Sequence, residues 1–271
     1  MTFIQAIVLG VVQGLTEFLP VSSSGHLVLI QNLFGLHQPE LIFNVAVHVG
    51  SLSAVCIYFY RDIASMAAAV IKWAYHGYMR SELPPPSMEV KLAAMIAVGS
   101  VPTAIIGFGF HRIADLLFSS VLLVGFMLAA TGLWMWFTRG RDGSGSGVDR
   151  LNTARALLIG IAQGIAIIPG VSRSGATIAA SLYLGLDRET AARYSFLLSI
   201  PAITGAALLN LSGTPVSGSA STPVIFAGGS VAALVGYAAL AFLVYLVKNG
   251  RLFIFAPYCW ALAGIIALLA W

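Results

Sequence analysis

Six stretches of the chain are apolar over close to the roughly 20 residues a helix needs to cross a bilayer. They run over about 41–60, 92–110, 116–138, 194–210, 223–247 and 252–271. Pro102 and Pro201 fall inside two of them and are expected to kink the helix there. Two further stretches, about 3–35 and 154–187, have a different pattern. Each is an apolar half, a Pro or Gly break (Leu19-Pro20; Pro169-Gly170), a Ser-rich turn and a second apolar half, and neither half is long enough to cross. This predicts two pairs of re-entrant half-helices. Broken backbone of this kind is tolerated at membrane depth only where protein or a wet cavity surrounds it.

The two broken stretches are also copies of one another. Residues 6–25 read AIVLGVVQGLTEFLPVSSSG and residues 156–175 read ALLIGIAQGIAIIPGVSRSG. With no gap, Ala6, Gly10, Gln13, Gly14, Val21, Ser22, Ser24 and Gly25 face identical partners at Ala156, Gly160, Gln163, Gly164, Val171, Ser172, Ser174 and Gly175. The chain therefore divides into a first repeat over 1–139, a flexible connector over 140–150 and a second repeat over 151–271. Each repeat holds one re-entrant pair and three crossings. Three is odd, so the second repeat starts on the opposite side. That predicts an inverted-topology repeat, with hairpins entering from opposite faces and the site where they meet.

Composition places this architecture in a membrane. The chain is 59% hydrophobic and 9% charged, with a mean hydropathy of +0.92, where a soluble domain carries roughly 25% charged residues. Cys56 and Cys259 lie in apolar runs and read as buried thiols, not as a disulfide framework. The N-terminus is apolar but lacks a basic start and a small-residue cleavage pattern, and reads as mature structure. The charges test the topology. It puts every Lys and Arg on one side except Arg112 and the intramembrane Arg173, the bias of a cytoplasmic face. Both termini, the mouth of the first hairpin and the loop 211–222 are then expected outside. Residues 64–80 read either as a surface amphipathic helix or as an extension of the preceding span. The Trp residues read as interface anchors or packing.

The ionisable groups within the repeat are divided between its copies. Glu17 and His26 face Ile167 and Ala176, while Arg173 faces Ser23. Glu17 follows Gln13 by four residues, which puts both side chains on one helix face. A carboxylate at that depth needs a partner or a cavity, and reads as a ligand for a hard divalent cation or as a general base, with Gln13 able to offer a carbonyl oxygen. Ser22, Ser23 and Ser24 precede the second half-helix. Their hydroxyls and the free N–H groups there suit either plain N-capping or an anion. His26 falls one turn further on. In the second copy Arg173 has the planar fork that suits two phosphate oxygens, and Ser172, Ser174 and Thr177 add hydroxyls. The bland alternative for Arg173 is an ion pair with Glu17 that locks the repeats together. His48 lies in an apolar span and reads better as core packing than as part of the site. No Cys/His metal cluster, phosphate-binding Gly-Lys-Ser/Thr loop, dinucleotide fingerprint or nucleic-acid patch is present in the sequence. These residues alone lead to a membrane-embedded phosphoryl hydrolase or an anion transporter.

The first motif, Gln13-Gly-Leu-Thr-Glu17-Phe-Leu-Pro-Val-Ser-Ser-Ser-Gly-His26, resembles the Glu/Gln-x-x-x-Glu and following Ser/His signature of bacterial undecaprenyl-diphosphate phosphatases, the bacitracin-resistance family. The second, Pro169-Gly-Val-Ser-Arg-Ser-Gly-Ala-Thr177, resembles that family's Pro-Gly-x-Ser-Arg-Ser-x-x-Thr motif, and the likeness extends over essentially the whole chain. The resemblance implies release of phosphate from undecaprenyl diphosphate for the cell-wall carrier cycle. It also implies a divalent cation (Mg²⁺ or Ca²⁺), an outward-facing site in the bacterial inner membrane, and a polyprenyl lipid and the bilayer as partners. A second copy of the chain is a further candidate partner. By position, Glu17 is the catalytic or metal carboxylate, Ser23 the hydroxyl at the nucleophile position, His26 the acid/base or alternative nucleophile, and Arg173 the phosphate clamp. Gln13 stands where some members have Glu, which leaves one negative charge fewer and weakens its claim as a metal ligand. A lipid-phosphate flippase or anion carrier is the main rival, since inverted repeats are a transporter architecture. The other broad class of membrane lipid phosphatase needs a Lys…Arg-Pro element and a downstream His…Asp pair, which are not found here in suitable order.

Overall fold

The computed structural model describes residues 1–36, 41–80, 83–111, 120–141, 145, 147–212 and 220–269. Its α-helices are α1 Phe3–Phe18, α2 Ser23–Leu33, α3 Leu41–Tyr58, α4 Tyr60–Arg80, α5 Met88–His111 and α6 Val121–Trp136. They continue with α7 Thr153–Ile165, α8 Arg173–Tyr183, α9 Arg188–Ser212, α10 Thr222–Lys248 and α11 Ala256–Leu269. Among the described residues 4 helices, α3, α5, α9 and α10, are long and apolar enough to cross a membrane. The chain is an all-α polytopic membrane protein. The apolar helices α6 and α11 fall within the stretches 116–138 and 252–271. Positions 116–119 and 270–271 lie outside the described residues, as do Arg112, residues 213–219 of the expected outer loop, and 142–144 and 146 of the connector. The amphipathic segment begins at Tyr60, one residue after α3, and α4 leans on α5 with Met66 buried.

Both chain breaks have local causes. Pro20 drives Leu19 out of helical backbone, to φ −61° and ψ 137°, and α1 stops there. In the second break the chain turns through Gly170 at φ 92°, where an added Cβ would stand 3.0 Å from that of Met127. After each break the chain folds back. One apolar cluster holds Met1, Ala6, Leu9 and Val12 of the α1 side with Leu27, Ile30, Phe34 and Leu36 of the α2 side, so α2 returns along α1. In the second pair Arg155 Nε, near the start of α7, donates to the carbonyl of Leu184, just past the end of α8, at 2.9 Å.

The two halves exchange partners. α1 packs on α10 of the second half, and α7 packs on α5 of the first. Small residues make both contacts possible by letting backbones approach. A Cβ on Gly10 would stand 2.5 Å from the carbonyl oxygen of Gly228, and one on Gly160 would stand 2.7 Å from Pro102 Cγ. These glycines are a repeat-related pair in the sequence. An aromatic column starts at Phe18, next to Glu17 in sequence. Phe18 meets Phe196 edge-on at 5.9 Å and Phe196 stacks on Phe59 at 6.1 Å. Beyond Phe59 lies a charged cavity of about 270 Å³ lined in part by Tyr58, Asp62, Glu189, Arg193 and Lys248. There Arg193 pairs with Asp62, and Lys248 pairs with Glu189 at 3.0 Å.

Candidate active site

The two breaks meet at one ion pair. Glu17, in the last turn of α1, is 8% exposed. Arg173, the first residue of α8, reaches it from the other half, with Nη2 2.5 Å from Oε1. The second carboxylate oxygen is shared. Ser23, the first residue of α2, donates its hydroxyl to Oε2 at 2.7 Å, and Gln13 donates its amide one turn back along α1 at 3.0 Å. Gln13 also reaches Ser51 Oγ of α3 at 3.4 Å. The N-termini of α2 and α8 both lie here, so two helix dipoles favour a negative ligand.

Two polar atoms in this cluster have no partner among the described residues: Gln13 Oε1 and Arg173 Nη1, both buried. An unmatched buried donor or acceptor costs about 1–3 kcal/mol. One of these is an acceptor beside a carboxylate, and the other is a cationic donor beside it.

The serines act unequally. Ser22 sits at φ 69° and ψ 96°, in the left-handed half of backbone space, and makes no capping bond. Its hydroxyl lies 3.4 Å from that of Ser24. Its counterpart Ser172 has ordinary extended backbone and caps α8, accepting from the N–H of Gly175 at 3.2 Å. Ser174 is buried 3.2 Å from Ser172 Oγ, and Thr177 donates back to the Arg173 carbonyl at 2.8 Å and bonds Ser195 of α9. The hydroxyls of the second copy thus bond within their own turn and to α9, while in the first copy Ser23 goes to the carboxylate.

His26 stands one turn into α2, and its ring nitrogens are held elsewhere: Nδ1 lies 2.8 Å from the Ser22 carbonyl and Nε2 lies 2.7 Å from the Tyr258 hydroxyl of α11. Neither bond goes to Ser23. His48, which sequence alone assigns more readily to the core, is only partly buried, with Nε2 4.0 Å from Glu17 Oε2. Ser51, Tyr258 and Ser195 are further site neighbours that sequence reasoning missed. Tyr258 and Ser195 come from helices without a motif, whereas Ser51 shares a polar face of α3 with Asn44 and His48, a signal the spacing carries.

The fold and this site define a class: a polytopic membrane protein whose two helical hairpins bring a carboxylate, a hydroxyl and a guanidinium together in its interior. The particular family follows from comparison. The chain belongs to the bacitracin resistance protein BacA family, whose model matches residues 6–265. It is 52% identical over 265 residues to an undecaprenyl-diphosphatase of Desulfosudis oleivorans, covering 97% of this chain and 96% of that one. It is 47% identical over 273 residues to an undecaprenyl-diphosphatase of Desulforapulum autotrophicum, covering 100% of this chain and 99% of that one. An undecaprenyl-diphosphatase of Korarchaeum cryptofilum is 43% identical over 263 residues.

Proposed function

We propose that this chain hydrolyses undecaprenyl diphosphate within the membrane, releasing inorganic phosphate and leaving undecaprenyl phosphate. One observation carries the reading at the level of chemistry: Ser23, Glu17 and Arg173 form a single contact chain of nucleophile, base and clamp, with Arg173 Nη1 still unpaired. Ser23 Oγ attacks the terminal phosphorus while its proton passes to Glu17 Oε2. The bond to the bridging oxygen breaks, and undecaprenyl phosphate leaves with that electron pair. Water then cleaves the seryl phosphate. Arg173 and the two helix N-termini stabilise the charge on the transferred phosphoryl group. Because Ser23 bonds Glu17, the carboxylate takes the role of base that sequence alone leaves open between Glu17 and His26. A second reading has His26 Nε2 attack directly: the bond from Nδ1 to the Ser22 carbonyl makes Nε2 the lone-pair nitrogen of the neutral ring, and here that lone pair accepts from the Tyr258 hydroxyl.

A divalent cation, Mg²⁺ or Ca²⁺, fits the donor set. The Glu17 carboxylate and the unpaired Oε1 of Gln13 are hard oxygen ligands. Among the described residues no group of three His, Cys, Asp or Glu side chains gathers around them, so most ligands of such an ion would have to come from water and substrate oxygens. When bound, it supplies positive charge against a diphosphate.

The inverted topology also belongs to this proposal. The first hairpin leads into the start of α3. The second leads into α9, whose Arg193 pairs with Asp62, just past the end of α3. This supports hairpin mouths at opposite faces, with the basic face cytoplasmic and the site open outward in the bacterial inner membrane. Purified protein in detergent tests the activity. Phosphate released from undecaprenyl diphosphate without a sealed bilayer supports hydrolysis, and a Ser23→Ala variant with no acid-stable burst supports a seryl intermediate. Lipid translocation in vesicles with no phosphate release in detergent would overturn the reading.

A further inference from the structure

We propose that Tyr258 is the positioning residue for His26, gripping the imidazole from the opposite half of the molecule so that Nε2 faces the substrate's phosphate. The proposal rests on the phosphatase reading above. A carbonyl oxygen only accepts, so in the neutral ring His26 Nδ1 carries the proton and donates it to Ser22 at 2.8 Å. Nε2 is then the acceptor, and the Tyr258 hydroxyl donates to it at 2.7 Å. The two rings are nearly parallel, 13° apart, with centroids at 5.9 Å. The imidazole is therefore fixed in tautomer by one bond and in direction by the other.

Tyr258 can serve as a fixed reference because its own helix start is anchored. The adjacent Cys259 is fully buried with Sγ 3.5 Å from the carbonyl of Pro20, and Trp260 Nε1 donates to the carbonyl of Ala129 at 3.2 Å. Tyr258 itself is 48% exposed. The second repeat has Ala176 at the His26 position and has no imidazole there to be gripped.

The test is a double-mutant cycle on purified full-length protein in detergent. Tyr258→Phe keeps the stacked ring and removes one hydroxyl. Its kcat should fall about 3- to 10-fold, as for one lost neutral hydrogen bond, with KM changed less than about 2-fold. In a His26→Ala background the same substitution should leave the residual rate unchanged, because Tyr258 acts only through His26. Carbethoxylation of His26 by diethyl pyrocarbonate, mapped by mass spectrometry with His48 as internal control, should be faster in Tyr258→Phe. A merely structural tyrosine would lower the rate in both backgrounds and leave that modification rate unmoved. A wild-type kcat in Tyr258→Phe, or losses that multiply with His26→Ala, overturns the proposal. If His26→Ala itself keeps wild-type activity, His26 does no work at the phosphate and the proposal is overturned, while loss of phosphate release in Ser23→Ala tests the phosphatase reading separately.

Discussion

Arg173→Lys separates the two tasks of this side chain in the proposed mechanism, the pair with Glu17 and the hold on phosphate. Arg173 uses Nη2 on Glu17 at 2.5 Å and keeps Nη1 buried and unpaired. A lysine retains the charge and can satisfy Glu17, but it lacks a planar fork and cannot bond the carboxylate and a phosphate oxygen at fixed angles together. The loss is then one charge-assisted hydrogen bond to the transferred group, about 1.5–3 kcal/mol, or roughly 10- to 150-fold in kcat/KM. Stability should barely change, because the carboxylate remains paired. Arg173→Ala differs on that second axis. It strands a carboxylate whose side chain is 6% exposed, at a cost of about 3–5 kcal/mol. The assay is phosphate release from a polyprenyl diphosphate in detergent, read beside unfolding of each variant in the same micelles. Arg173→Lys at wild-type kcat/KM would refute the clamp, and Arg173→Ala as stable as wild type would refute the buried pair.

Other perturbations follow from the same geometry. On the proposed mechanism Glu17→Gln removes the base and a cation ligand together. Phosphate release should fall about 10²- to 10⁴-fold, and the residual rate should not respond to Mg²⁺ or Ca²⁺ added after chelation, whereas wild-type activity should be lost on chelation and restored by the ion. Ser22 alone among the described non-glycine residues has positive φ, so Ser22→Gly should match or exceed wild-type stability, while Ser22→Val should lose about 1–3 kcal/mol in denaturant unfolding. Gly160→Val drives a branched side chain against Pro102 and the Gly99 backbone. It should cost at least about 1–3 kcal/mol, read as loss of monodisperse protein on size exclusion, and a monodisperse, fully active variant would contradict the close packing of α7 on α5.

The parts of the site that lie on the repeated motifs were legible in the sequence, because interrupted apolar runs and stranded charges are local signals. Leu19-Pro20 and Pro169-Gly170 mark the breaks, and Glu17 and Arg173 each need a partner at membrane depth. What each group bonds was less legible. Ser23 and His26 share one turn, and spacing alone suggests that the imidazole serves the hydroxyl. In the structure Ser23 goes to Glu17 while His26 goes to a tyrosine 232 residues away. No pattern along the chain reports a contact of that kind. The facing of His48 was legible but went unused. Asn44, His48 and Ser51 stand at i, i+4 and i+7 of α3, a narrow polar stripe that marks the side meeting the site. Thr177, a candidate phosphate donor by motif, is held by its own helix backbone and by Ser195, a choice that depends on where α9 lies.

The column of Phe18, Phe196 and Phe59 has an electrical consequence. A voltage across a membrane protein drops mostly over its least polarisable layer. Here that layer lies between the charges at Glu17 and Arg173 and the ionic cavity at Asp62 and Arg193. With the site open outward, as proposed, charge rearranged during turnover at Glu17 crosses little of that field, where a full elementary charge carried through 100 mV would cost about 2.3 kcal/mol. Reconstituted vesicles should release phosphate at the same rate whether polarised or short-circuited by an ionophore.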